Sequence, residues 1–175
     1  VSPESDQDLV ELLQAAALCN NARLIPPNEE SPRWSILGDP TEAALLVAAI
    51  KGGLDLGEIA RQRHRLRELP FESRRKRMSV INETETSVIG YTKGAPKEVL
   101  DLSSRIRLNG EDMPLDDTWR ERIMATNDAY AREGLRVLAV AASGVPEVCS
   151  GLQPVSACTP ESVERDLILL GLIAM

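Results

Sequence analysis

Three strand-like runs, residues 66–71, 78–82 and 86–93, commit the middle of this chain to β-structure, because they follow one another with only short polar turns between them. The first of these turns carries the densest chemistry in the sequence. Pro70-Phe71-Glu72-Ser73-Arg74-Arg75-Lys76-Arg77-Met78-Ser79-Val80 holds the only phenylalanine of the 175-residue chain, followed by four consecutive cations. An aromatic face beside a dense cationic patch suits a nucleotide, whose base stacks and whose phosphates attract positive charge. The same pattern also describes a core phenylalanine at a strand end beside a solvated charge run. The rest of the chain decides between the two.

A chain of this length fits one domain, residues 1–175, and can bury roughly 70% of its unfolded surface. Its hydrophobic share of 43% and charged share of 27% are ordinary for a globular protein. No apolar run reaches the ~18 residues of a membrane span, and the first residues lack a signal pattern, so no direct membrane contact is expected. Three cysteines, Cys19, Cys149 and Cys158, without metal-ligand spacing, fit a reducing compartment, most simply the cytosol. The net charge of -7 is unevenly spread. Residues 61–77 contain eight Lys/Arg and two Glu, a net of +6, which leaves -13 for the remainder. A local basic island in an acidic body suits a small anion better than a nucleic acid. The rival reading is an interaction module that docks an acidic partner through Arg61–Arg77. A kinase-like enzyme is disfavoured, since neither a glycine-rich phosphate loop nor a metal-binding pair is present. His64, among so many cations, reads as a solvated or partly buried residue.

Around the three runs the sequence predicts the following elements. Ser2-Pro3 starts a first helix with a stripe of Leu9, Leu12, Leu13, Ala16 and Ala17, and Cys19 reads as a small core residue near its end. Residues 34–37 form a short strand after a proline-rich loop. Asp39-Pro40-Thr41-Glu42 opens a second helix as N-cap, first-turn proline and capping-box acid; residues 43–50 are apolar all round, so this helix should be largely buried, and Gly52-Gly53 ends it. A short helix covers 56–62. Lys93 stands at a strand end, followed by Gly94 and a helix over 95–102 begun by Pro96. Asn109-Gly110 joins strands 105–108 and 111–115. Residues 117–132 form a helix with Trp119, Ile123, Met124 and Tyr130 toward the core, Gly134 caps it, and 135–142 is a strand carrying Arg136 amid aliphatics. Residues 143–160 form a loop, and 167–173 a last apolar strand.

Taken in order, Asp39-Pro40-Thr41-Glu42, Phe71 with Arg75-Lys76 and Met78, Lys93-Gly94-Ala95-Pro96, and Gly134-Leu135-Arg136-Val137-Leu138 resemble the nucleotide-binding domain of P-type cation-transporting ATPases. The resemblance covers most of the chain and is closest to the calcium-pump-like branch, including its bacterial members. It implies an α+β fold, a twisted and mainly antiparallel sheet flanked by helices. It also implies that Phe71 stacks on adenine, that Glu42 accepts from the exocyclic amine, and that Met78 and Leu138 line the base pocket. Lys76 and Lys93 match the pocket lysines, Gly94 lets backbone come close, and Arg136 matches the arginine that holds phosphates, with Asp39 and Thr41 beside them. Two departures stand out. An arginine often found two places after the phenylalanine is Ser73 here, so Arg74 or Arg75 substitutes for it, and Lys97 replaces the family's glutamate after Pro96.

The Asp-Lys-Thr-Gly phosphorylation motif is not in this sequence. The resemblance therefore implies an excised module that binds ATP, does not hydrolyse it alone, and presents the terminal phosphate to an aspartate on another domain. Mg2+ would be held mainly outside this chain. The expected partners are the phosphorylation and actuator domains of the same parent, a cytosolic portion of an integral membrane pump, with the isolated domain monomeric.

Overall fold

The computed structural model describes residues 6–29, 31–83, 87–144 and 158–175. The elements run α1 (Gln7–Leu18), β1 (Arg23–Ile25), β2 (Ser35–Leu37), α2 (Pro40–Lys51), α3 (Leu56–Gln62), β3 (His64–Glu72), β4 (Arg77–Glu83), β5 (Val88–Gly94), α4 (Pro96–Leu100), β6 (Ser103–Leu108), β7 (Glu111–Pro114), α5 (Asp117–Arg132), β8 (Val137–Gly144), α6 (Pro160–Val163) and β9 (Leu167–Ala174). Seven strands form one sheet in the order β3-β4-β5-β8-β9-β6-β7, while β1 and β2 pair separately. Every pairing is antiparallel except β6 with β9. The fold is α+β, as the resemblance implies.

Side chains alternate across a strand, so the sheet has two covered faces. Val80, Tyr91, Val140 and Ala142 pack toward α1, whose Leu12, Ala15 and Ala16, with Cys19 as its C-cap, complete that core. Ala139 and Ala141 of the same β8 point the other way, to Val99 and Leu100 of α4 and to Leu167 and Leu169 of β9. On that second face, at the β3–β4 end, Leu69 and Ile81 pack with Cys158 and Val163. Asn109 and Gly110 both have positive φ, 53° and 80°, the geometry of the tight hairpin turn expected there.

Several local expectations change. Helix α1 begins at Gln7 with Asp6 as its cap, accepting from the Leu9 N–H at 3.1 Å; Ser2-Pro3 lies outside the described residues. Helix α2 is not buried all round. It buries Ala43, Leu45, Leu46 and Ala49, packing chiefly on α1 with α3 and the β1–β2 pair beside it, and leaves Val47 and Ile50 exposed on the side these elements do not cover. Helix α5 contributes no fully buried residue; Trp119, Ile123 and Met124 pack partly on the second core, and Tyr130 is exposed. Most of the expected 143–160 loop falls outside the described residues. Its last residue, Pro160, opens α6, and Ser143 and Gly144 extend β8. Cys19 is a buried free thiol, whereas Cys158 is buried and disulfide-bonded, which the reading of three reduced cysteines does not anticipate. No described helix is long and apolar enough to cross a membrane.

Candidate functional site

The N-terminus of α2 sets one wall of the site. Asp39 accepts from the Thr41 and Glu42 N–H groups at 2.8 and 3.3 Å, and the Thr41 side chain, with these bonds, holds its carboxyl below the usual range. Glu42 does not close the expected capping box. Its carboxylate turns inward instead: Oε1 accepts from Lys93 Nζ at 2.7 Å and Oε2 from the Asn21 N–H at 3.1 Å. Asn20 and Asn21, directly after α1, fix this corner, since Asn20 Nδ2 also donates to the Glu42 carbonyl at 2.8 Å. Lys93 is buried near the end of β5, opposite Met78 in the β4–β5 register. Nearby, the Cys19 thiol donates to the Met78 carbonyl, and burial pushes its pKa up to about 11, only partly opposed by the Lys93 charge.

The opposite wall is β3, the edge of the sheet, where a proline is tolerated because it removes no ladder bond. Between Leu69↔Ser79 and Glu72↔Arg77, two β3 residues, Pro70 and Phe71, face the single Met78 of β4. Such a bulge re-aims a side chain. Phe71 is 62% exposed, so the sole phenylalanine is not a core residue.

These walls enclose a cavity of about 600 Å³. It brings together Glu42, Phe71, Lys76, Met78, Lys93, Gly94, Arg136 and Leu138, the eight principal residues named from the sequence, with Asp39 and Thr41. Asn21, Glu68, Pro70, Ala95 and Val137 also line it and were not anticipated. Asn21 Nδ2 donates to Glu68 Oε1 at 2.7 Å, joining the two walls across one end. Arg136 stands at the mouth, its Nη1 donating to Thr41 Oγ1 at 2.9 Å.

Three expected roles look different in detail. Gly94 is required by the protein's own chain, since a Cβ there would lie 2.5 Å from the Lys76 carbonyl oxygen and 2.5 Å from Arg77 Cβ. Lys76, at φ 49°, lines the cavity but donates through Nζ to Glu98 at 2.6 Å. Arg75 does not reach the cavity. It donates to Glu164, to Glu72 at 3.1 Å and to the Pro70 carbonyl at 2.7 Å. Arg74 is exposed and is not among the lining residues.

Sequence reasoning missed Glu164, whose side chain is fully enclosed and takes Arg75 on one oxygen and Arg77 Nε, at 2.7 Å, on the other. One acid among Glu161, Glu164 and Asp166 carries no signal that sets it apart from its neighbours. Four of the eight cations of the basic island are therefore engaged internally. Arg75 and Arg77 serve Glu164, Arg65 donates to the carbonyls of Leu18 and Asn20, and Lys76 pairs with Glu98. These four serve the protein's own loop and so are not free to dock an acidic partner. Among the described residues no group of three His, Cys, Asp or Glu side chains gathers to hold a metal ion.

Comparison with known proteins adds a family to this geometry. A family described as "P-type ATPase, cytoplasmic domain N" matches residues 8–175. A calcium-transporting ATPase of Lactococcus lactis is 34% identical over 172 residues, 98% of this chain and 18% of that protein. A calcium-transporting ATPase of Bacillus subtilis is 34% identical over 174 residues, again 98% of this chain and 18% of the other. A probable cation-transporting ATPase F of Mycobacterium tuberculosis is 34% identical over 139 residues, 77% of this chain. The chain spans about a fifth of the length of the calcium-transporting relatives.

Proposed function

The chain belongs to the P-type ATPase cytoplasmic N-domain family, and from that premise we propose that it binds ATP in the cavity beneath Phe71 and hands the terminal phosphate to an aspartate on another domain of an ATP-driven cation pump. The observation that carries this reading is Phe71. An exposed aromatic on a strand bulge lines a cavity that also holds the Glu42–Lys93 ion pair, so a planar group entering the cavity has a ring face to stack on and polar groups to meet. The cavity volume of about 600 Å³ lies in the usual range for small-molecule sites, and its donors fit an adenine nucleotide. Adenine stacks on Phe71 with Met78 and Leu138 beneath it, and the Glu42 carboxylate accepts from its exocyclic amine. Lys93 holds Glu42 in place. Arg136 at the mouth meets the phosphates, joined by Lys76 when it leaves Glu98. Arg74 is the arginine free to serve in place of Ser73, since Arg75 is tied to Glu164. The magnesium ion and the γ-phosphate are served chiefly by the phosphorylation domain, the actuator domain completes the cycle, and the module sits on the cytosolic side of the membrane. Calcium is the cargo named for several relatives, and a cation of that kind is the proposed cargo here.

One stacked base and a few polar contacts barely exceed the cost of immobilising the ligand, so the expected dissociation constant is roughly 0.1–1 mM, about 4–5.5 kcal/mol. Titration of the chain by calorimetry or NMR tests this. ATP and ADP should bind within a few-fold of each other, with little effect of magnesium. GTP should bind more weakly, since its carbonyl would face Glu42. Phe71→Ala should cost about tenfold or more, consistent with ~1–3 kcal/mol for base stacking, while Phe71→Trp keeps most of the affinity. An unchanged affinity in folded Phe71→Ala protein would remove the central claim.

A further inference from the structure

Met78 and Ser79 are successive residues of β4, so their side chains lie on opposite faces of the sheet. Met78 lines the cavity; Ser79 donates to Glu164 Oε1 at 2.8 Å. Glu164 therefore sits behind the site, across the sheet from it, and touches none of the cavity. Its other contacts converge on the β3–β4 turn. Arg77 Nε donates to Oε2 at 2.7 Å, Arg77 Nη1 donates to the Arg75 carbonyl at 3.0 Å, and Arg75 Nη1 donates to Glu164 Oε1. Arg75 Nη2 continues to the Pro70 carbonyl at 2.7 Å, and that carbonyl belongs to the peptide plane joining Pro70 to Phe71.

A carboxylate that only offset the charge of the turn would need no such chain of bonds. This one runs from an enclosed group, through one planar guanidinium, to the peptide that carries the exposed aromatic. Arginine's fixed fork is suited to that bridge, because two donors in one plane tie two acceptors in a set relation. An exposed ring has few packing contacts of its own, so its direction depends on how its backbone is held.

We infer that Glu164 is a positioning residue for nucleotide binding: through Arg75 and the Pro70 carbonyl it fixes, from the far face of the sheet, the direction in which Phe71 faces the cavity. The inference rests on the reading of Phe71 as the base platform. Holding the platform in its bound orientation lowers the ordering cost of association.

Phe71 is the only phenylalanine, so fluorophenylalanine labelling places a single 19F reporter in the 175-residue chain. In Glu164→Gln the 19F line should shift or broaden before any nucleotide is added. ATP and adenosine affinity should then fall together by about five- to tenfold, because the base platform has moved. Glu164→Gln added to Phe71→Ala should cost less than about twofold beyond Phe71→Ala alone, since the platform is already gone. A folded Glu164→Gln protein with an unmoved 19F line and ATP affinity within about twofold of wild type overturns the inference. So does a loss for ATP without one for adenosine, which would mark an effect on the phosphates alone. Should Glu164→Gln fail to fold, Arg75→Lys leaves a cation beside Glu164 but cannot span to Pro70. It should shift the 19F line and weaken both ligands about threefold, and no change in either would equally overturn the proposal. If the wild-type chain binds no nucleotide, the proposed function falls, and the 19F line in the two variants alone decides whether Glu164 positions Phe71.

Discussion

Two carboxylates, Glu42 and Glu164, take cations near the same end of the sheet, and they are built for different ends. The Glu42 side chain is 16% exposed and its partner Lys93 6%, and the pair opens into the cavity. Lys93's ammonium carries three donors, of which one is engaged by Glu42. The Glu164 side chain is 0% exposed and accepts from three side chains, Arg75, Arg77 and Ser79. The first pair keeps polar capacity turned toward a ligand. The second is shut away from the cavity, with three donors already on its two oxygens, and its worth lies in holding a turn still. The difference teaches that burial of a charge is not by itself a sign of a binding site; what matters is whether the hydrogen-bonding groups are already matched.

Stability measurements can break this comparison most forcefully. Removing one member of an enclosed ion network leaves the others as uncompensated charges, at a cost of about 3–5 kcal/mol. Glu164→Ala, which removes the carboxylate from Arg77 and leaves Arg75 only the Glu72 carboxylate, should fall toward the lower end of that range in urea unfolding. Lys93→Ala should cost less, about 1–3 kcal/mol, because the Glu42 carboxylate keeps the Asn21 N–H and some solvent. Equal losses for the two variants would mean that the two clusters are alike after all.

A second measurement probes where the two regions share backbone. Gly94 closes the cavity side and lies against Lys76 and Arg77 of the turn that Glu164 holds. A methyl group there meets a carbonyl oxygen and a Cβ at 2.5 Å, neither of which can swing away. Gly94→Ala should therefore cost about 1–3 kcal/mol by overpacking, read as a lower urea midpoint with unchanged slope. Stability within a few tenths of a kcal/mol of wild type would show that the turn yields, contrary to a turn held rigid from behind.

What could be read from the sequence follows the same division. Elements set by local rules were legible: α3 over Leu56–Gln62 and α5 over Asp117–Arg132 coincide with the expected spans, and Asp39 caps α2. The residues gathered at the cavity were legible only through a resemblance that spans several motifs, because Glu42 and Lys93 are 51 residues apart. Position-by-position reading of Glu42 favoured a capping box, and tertiary contact with Lys93 and Asn21 overrode that local rule. Burial was the weakest inference. The apolar circumference of α2 and the aromatic Tyr130 both suggest core, yet the number of neighbours a helix has cannot be read from its own sequence. Glu164 was illegible for the complementary reason, since one of several acids after a loop, with Glu161 and Asp166 close by, looks solvated until Arg75, Arg77 and Ser79 surround it.

The smallest expected effect concerns Lys76, which belongs to both regions: it lines the cavity, and its backbone is part of the turn. Its Nζ donates to Glu98 at 2.6 Å, with the lysine side chain 57% exposed and the glutamate 24%. Such a pair is worth about 0.2–1 kcal/mol. The hydrogen bond from Lys76 holds the Glu98 carboxyl below the usual carboxylate range. A depressed carboxyl stabilises the fold above its unfolded pKa, and that contribution is lost as pH falls through the folded pKa. The stability difference between wild type and Lys76→Met should thus be present at neutral pH and close as pH falls through the lowered folded pKa of Glu98. A difference that persists below it would assign the effect to packing of the lysine stem instead. The same pair sets a competition. A phosphate that recruits Lys76 must draw it from Glu98, so Glu98→Gln should tighten ATP by about twofold, or ~0.4 kcal/mol, while leaving adenosine unchanged. Calorimetry showing no gain for ATP would confine Lys76 to the turn and leave the phosphates to Arg136 and Arg74.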